Sequence, residues 1–210
     1  RFRVWDGRIG DEILESGMRF GLRGLTYYDA GTRSFYSRTR QVTRPEDLAG
    51  MKIRVQESPV AMQMVQALGG SPTPIAWGEL YTALQQGIVD GAENNPPSFF
   101  TSRHYEVCPY YSLDEHTAVP DVLLVSTVLW DDLSEQQRTW LSEAADESAV
   151  YQRELWAHSV EESLAAVQEA GVEVIYPDKE PFNARVHAMY ESFRSLPPVY
   201  SLIQRIQEAE

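Results

Sequence analysis

The residue best placed to do chemistry is Arg54, in the stretch Lys52-Ile53-Arg54-Val55. The alternation puts Ile53 and Val55 on one face of a strand and Lys52 and Arg54 on the other. A helix start follows at once, with Ser58 as N-cap and Pro59 at the first helical position. Arg54 therefore stands beside a helix N-terminus, whose unpaired N–H groups and dipole favour an anion. In open α/β sheets, ligands bind beyond the carboxyl ends of strands, where this arginine falls. Its planar fork suits a carboxylate, which it grips with two parallel charged hydrogen bonds. Spacing alone equally allows an ordinary solvent-facing arginine. Trp77, after Pro72 and Pro74, reads as a packing residue or as an apolar wall for a ligand's carbon face. Asn94 and Asn95 lie between a strand and Pro96-Pro97, where an amide could be aimed at a ligand or could simply make the turn. These are parts for gripping a small carboxylate, with no evident nucleophile or base for transforming it.

Other chemistries find less support. Asp114-Glu115-His116 offers metal-ligand types, but consecutive strand residues point to opposite faces, so the three cannot converge. Glu93 has no partnered nucleophile that would make it a general base. His104, His158 and His187 sit on helical patterns without ligand spacing and read as surface or internally satisfied residues. Phosphate-loop, dinucleotide-binding and Ser-His-Asp signatures are absent. No catalytic residue, metal or cofactor is assigned. The single cysteine, Cys108, excludes an intrachain disulfide and reads as a small buried hydrophobe. A net charge of −13 argues against a nucleic-acid surface. It does not exclude an anionic ligand, because exposed charges are screened beyond roughly 8 Å at physiological salt.

The elements that must hold these residues alternate between strand and helix, which implies α/β architecture. Strands are expected at 18–28, 34–39, 52–56, 88–93, 121–127 and 172–176. Helices are expected at 58–69, 77–86, 98–107, 181–193 and from about 199. The apolar run Val122-Leu123-Leu124-Val125 suits a strand buried on both faces. Ser134-Glu135-Gln136-Gln137 is a capping box opening a helical pattern that persists to Gly171. That helix lacks a sustained heptad and reads as a bridge between two lobes. No run of about 18 apolar residues exists to span a membrane. Arg1-Phe2-Arg3-Val4-Trp5 lacks a signal-peptide core and reads as a cut through an ordered element.

Taken in order, several segments resemble the DctP-type substrate-binding proteins of TRAP (tripartite ATP-independent periplasmic) transporters over nearly the whole chain. They are Gly31-Thr32-Arg33-Ser34-Phe35, the run from Arg44 to Val55, Leu68-Gly69-Gly70-Ser71-Pro72-Thr73-Pro74, the run from Trp77 to Gly87, and Val89-Asp90-Gly91-Ala92-Glu93-Asn94. The resemblance implies a two-lobed periplasmic-binding-protein (clamshell) fold with the long helix spanning both lobes. It implies a periplasmic solute receptor, not an enzyme, that closes on a small organic acid and delivers it to the TRAP membrane permease. Arg54 becomes the carboxylate-clamping arginine, Arg33 a second arginine reaching the ligand, Asn94 a hydrogen-bonding amide and Trp77 the aromatic packed on the solute.

Lobe I would comprise 1–30 and 120–159, without its first strand–helix units, and lobe II 31–119 and 160–210. Ala92 to Phe99, followed by His104 to Cys108, looks most like the branch that binds sugar acids such as uronates. Asn95 and Glu57 would then contact sugar hydroxyls. A C4-dicarboxylate or another organic acid stays open, as do a ligand-sensing domain and an enzyme acting on sugar acids. No dimerisation signature is visible, and the chain reads as a monomer.

Overall fold

The alternation at residues 52–55 sets the face of the sheet on which the site is built. In a computed structural model describing residues 1–209, six strands form one mixed sheet of order β3-β2-β4-β1-β5-β6. They are β1 (Leu22–Ser37), β2 (Lys52–Val55), β3 (Ser71–Pro74), β4 (Gly91–Asn94), β5 (Tyr110–Ser126) and β6 (Glu173–Ile175). β2 runs parallel to both β3 and β4, β4 antiparallel to β1, and β5 parallel to β6. Ile53 and Val55 enter a core with Phe35, Leu48, Val65 and Leu68. A second core gathers Tyr36, Leu80, Leu84, Ala92, Phe99 and Tyr111. Covered on both faces, β4 is buried throughout, although its sequence is only Gly-Ala-Glu-Asn.

Three strands differ from their sequence patterns. Residues 71–74, where the sequence pattern assigned no strand, form β3 at the sheet edge. Prolines are tolerated there because an edge strand need not donate on its outer side. β1 is a single strand of 16 residues preceded by the 3₁₀ turn Met18–Phe20, where the sequence suggested two strands. Its apparent break at Gly31 is a left-handed residue, φ 76, lying so close to Trp156 that an added Cβ would sit 2.9 Å from the indole nitrogen. β5 extends over 17 residues, with Glu115 at φ 50 and Pro120 within it. Both residues disguise its continuity.

The chain divides into two compact units, Arg1–Gly31 with Val119–His158 and the segment from Leu196, and Thr32–Ala118 with Ser159–Ser195. In the first, Val4, Trp5 and Tyr27 pack with Ile13, Leu14, Ile206 and Ala209. The C-terminal helix Pro197–Ala209 therefore belongs to this unit, not to the second lobe to which 160–210 were expected to belong. Arg205 on that helix pairs with Glu12 at 2.7 Å. The expectation of a buried strand at 122–125 also fails: Leu124 is 51% exposed and Val122 37%. An apolar run demands cover on both faces, and among the described residues no element supplies it.

The helix Glu135–Glu169 contributes residues to both units. It starts at the expected capping box: Gln137 N–H donates to Ser134 Oγ (3.3 Å) and Ser134 N–H to Gln137 Oε1 (2.9 Å). No helix among the described residues is long and apolar enough to cross a membrane.

Gly91 opposes Ser37 at the β4–β1 seam, and a Cβ there would lie 2.4 Å from the Tyr36 carbonyl oxygen. Because that neighbour is backbone, Gly91→Ala should destabilise the protein by about 1–3 kcal/mol in urea unfolding. An unchanged midpoint would contradict this register.

Candidate functional site

Across β2, β4 and β1, Arg54 is paired with Ala92 and Ala92 with Tyr36. Directly paired residues share a sheet face, so the three form a row with a methyl group at its centre. The next row on that face is Asn94 and Ser34, while Glu93 and Phe35 pair on the opposite one.

Arg54 is only 3% exposed. Its Nε donates to the Ile75 carbonyl oxygen at 2.8 Å, and its buried Nη1 has no hydrogen-bond partner. Among the described residues no carboxylate pairs with it. Burial pulls its pKa below the ordinary arginine value, and same-sign repulsion from Arg33 adds to this. A buried cation with an unpartnered donor is costly, and an anion at the fork would relieve both burdens. Trp77, at the start of the 3₁₀ turn Trp77–Glu79, lies with its ring centroid 5.4 Å from the Arg54 guanidinium carbon. It is 43% exposed, so it is not a core tryptophan. One face touches the cation while much of the ring meets solvent.

Arg33 has the opposite circumstances. Its Nε and Nη2 grip both Glu93 carboxylate oxygens, Nη2 also donates to the Glu93 carbonyl at 2.8 Å, and Nη1 donates to Asn94 Oδ1 at 3.0 Å. Four bonds on five N–H groups leave it little capacity for a ligand. Asn94 Oδ1 also accepts from Asn95 N–H at 2.9 Å, so its amide is oriented with the nitrogen as the remaining donor. Asn95 caps the helix Pro96–Thr101, its Oδ1 accepting from Ser98 N–H at 2.8 Å. Glu57 is exposed in the loop between β2 and the helix Pro59–Ala67. The structure thus groups Arg33, Asn94 and Asn95 by direct bonds and Arg54 with Trp77 by ring contact.

Behind Glu93 lies a buried charge chain that sequence reading missed. His116 Nδ1 is 2.7 Å from Asp114 Oδ2, and its Nε2 is 3.6 Å from Glu93 Oε2, an ion-pair distance too long for a hydrogen bond. Phe35 covers the imidazole at a centroid distance of 4.3 Å, and Asp114 Oδ1 accepts from Phe35 N–H at 3.1 Å. Burial works against the imidazolium, but Asp114 and Glu93 raise its pKa to about 9. Burial likewise works against the Glu93 carboxylate, and His116 and Arg33 together hold its pKa below the ordinary value. The signal was present in the i, i+2 spacing of Asp114 and His116, which puts both on one face. Glu115 turns elsewhere and pairs with Lys179. Among the described residues no group of three or more His, Cys, Asp and Glu is placed to hold a metal. Cys108 is buried, and burial pushes its thiol up to about 12, so it is chemically inert.

The pattern of bacterial extracellular solute-binding proteins, family 7 (DctP), matches residues 1–196. The chain belongs to this family. A relative from Chromohalobacter salexigens, described as a solute-binding protein, is 39% identical over 211 residues, covering 100% of this chain and 63% of that one. The chain therefore spans under two thirds of that relative's length. Among solved structures, a TRAP periplasmic solute-binding protein from Chromohalobacter salexigens with bound D-glucuronate superposes with a TM-score of 0.95 at 38% identity, covering 100% of this chain and 70% of its own. One from Xanthobacter autotrophicus with bound β-D-galacturonate gives 0.90 at 44% identity, covering 99% and 69%. The mixed α/β architecture is that of the family.

The charge chain makes stability depend on pH in both directions. His116 is raised from 6.5 to about 9, so its contribution is complete below about pH 6.5 and is lost as pH climbs through about 9. Glu93 is lowered from 4.5, so its contribution is present above that value and is lost as pH falls below it. Urea unfolding should therefore show a decline between pH 6.5 and 9 that disappears in His116→Asn. An equal decline in the variant would contradict the assignment.

Proposed function

We propose that the protein is a periplasmic receptor for a sugar acid of the uronate class, acting as a monomer and passing its solute to a TRAP-type membrane permease. The observation that carries this reading is the buried Arg54 fork, unpaired and overlain by Trp77. The solute carboxylate takes the fork, the sugar's carbon face lies against Trp77, and the Asn94 amide nitrogen donates to the carboxylate or a neighbouring hydroxyl. Asn95 and Glu57 serve more distant hydroxyls. Arg33 acts chiefly by orienting Asn94.

Charge balance favours a uronate over a C4-dicarboxylate. With His116 protonated at neutral pH, the three cations Arg33, Arg54 and His116 are balanced by only the two carboxylates Glu93 and Asp114, which pair with Arg33 and His116 and leave Arg54 without a partner. A uronate brings one carboxylate and a C4-dicarboxylate two. A second buried anion would find no partner here, at a cost of several kcal/mol. The neighbouring solved structures, with glucuronate and galacturonate bound, agree with that arithmetic. Binding without turnover suits the site, because Glu93 is held as a paired anion, His116 as a paired cation and Cys108 as a thiol.

Charged hydrogen bonds contribute about 1.5–3 kcal/mol each, so Arg54→Ala in the full-length protein should weaken uronate binding by roughly 10²-fold or more in titration calorimetry. Arg54→Lys keeps the charge but not the fork and should lose most of the affinity as well. Wild-type affinity in Arg54→Ala, or tighter binding of succinate than of D-glucuronate or D-galacturonate, would sink this reading.

A further inference from the structure

A buried titratable residue, His104, lies beside the Arg54–Trp77 pair. His104 is 1% exposed and sits in the 3₁₀ turn His104–Glu106, entered through Arg103 in the left-handed region at φ 56. Its Nδ1 shares a 2.8 Å hydrogen bond with the hydroxyl of Tyr36. Tyr36 is itself fully buried and ends the Arg54–Ala92–Tyr36 row. On its other side the imidazole meets Trp77 edge-on, with ring centroids 5.1 Å apart and planes at 62°. Trp77 in turn covers the Arg54 guanidinium. The four side chains thus close a loop. Arg54 and Tyr36 rise from one sheet face on either side of the Ala92 methyl, and Trp77 and His104 join them above it.

Trp77 needs such a support. It lies at the start of a short turn, is substantially exposed, and its ring would otherwise be free to change rotamer. Edge-to-face contact with a fixed ring restricts it, and the Tyr36 bond fixes that ring. Burial, with Arg54 repulsion behind it, lowers the His104 pKa to about 4, so at neutral pH the imidazole supports the ring without adding a competing cation. Burial also pushes the Tyr36 hydroxyl well above its ordinary pKa, so its proton stays available to the pair.

We propose that His104 is a positioning residue of the solute site, seated by Tyr36 and holding Trp77 over the Arg54 fork in the orientation that receives a carboxylate. This rests on the reading that Arg54 binds the solute carboxylate. The test is a double-mutant cycle in the full-length protein, titrated with D-glucuronate and D-galacturonate. Melting temperatures are recorded for every variant. His104→Ala should raise the Kd about tenfold in the wild-type background but less than about twofold when Trp77 is already alanine, because the residue acts through that ring. Tyr36→Phe removes only the bond that seats the imidazole and should show the same non-additivity with a smaller effect. It carries the test alone if His104→Ala does not fold. A purely structural histidine would lower the melting temperature while leaving Kd within about twofold of wild type, or would change Kd by the same factor in both backgrounds. Either result overturns the proposal. Arg54→Ala separates the two levels: undiminished binding there removes the carboxylate reading itself. Lost binding in Arg54→Ala with an unaffected His104→Ala removes only the role of His104.

Discussion

A partly buried arginine, Arg33, and a fully buried one, Arg54, stand near one buried carboxylate, and the sheet register decides which of them it serves. Glu93 lies on the opposite sheet face from Arg54, yet Arg33 grips both of its oxygens. Arg33 is thereby neutralised and becomes a scaffold for Asn94. Arg54, two strands away on β2, keeps its charge and an unpartnered donor. A one-residue slip of β4 against β1 would exchange these faces, which gives Gly91 its importance: only glycine fits against the Tyr36 carbonyl in this register. The proposed anion site is thus a consequence of which arginine the protein has already satisfied.

The charges behind Glu93 follow from the same constraint. A lone buried carboxylate between two arginines and the apolar core would be poorly anchored. His116, clamped by Asp114 and covered by Phe35, supplies a second cation on the core side. The cation in turn needs Asp114, whose other oxygen is tied to the backbone of β1. Each member compensates the burial cost of the next, and the residual positive charge sits at Arg54, beneath Trp77. The proposed recognition of a monoanion and the stability of the sheet would therefore be coupled through the same side chains.

Much of this was legible in the residues, and what was missed has definite causes. The alternation at 52–55 located Arg54 on the correct face, and the Ser58 and Ser134 caps marked helix starts that the backbone honours. Local pattern could not show that Arg54 is buried, since a half-exposed and a covered strand face look alike until the covering helix is placed. Nor could it show which arginine takes Glu93, a pairing across 60 residues. Asp114 and His116 shared a face by simple alternation, but their role needed Glu93 from another strand. Gly31 and Pro120 look like breakers in isolation, yet lie within long strands. The apolar run 122–125 read as a buried strand, while its environment among the described residues is open.

The solute carboxylate is proposed to lie on Arg54 and not on Arg33. A crystal structure of the full-length protein with D-glucuronate tests this most directly. Both carboxylate oxygens should lie about 2.7–2.9 Å from Arg54 nitrogen donors, with the sugar against Trp77 and the Arg33–Glu93 pair intact. A carboxylate bound by Arg33 with Glu93 displaced, or a sugar turned so that Arg54 meets only hydroxyls, would contradict it.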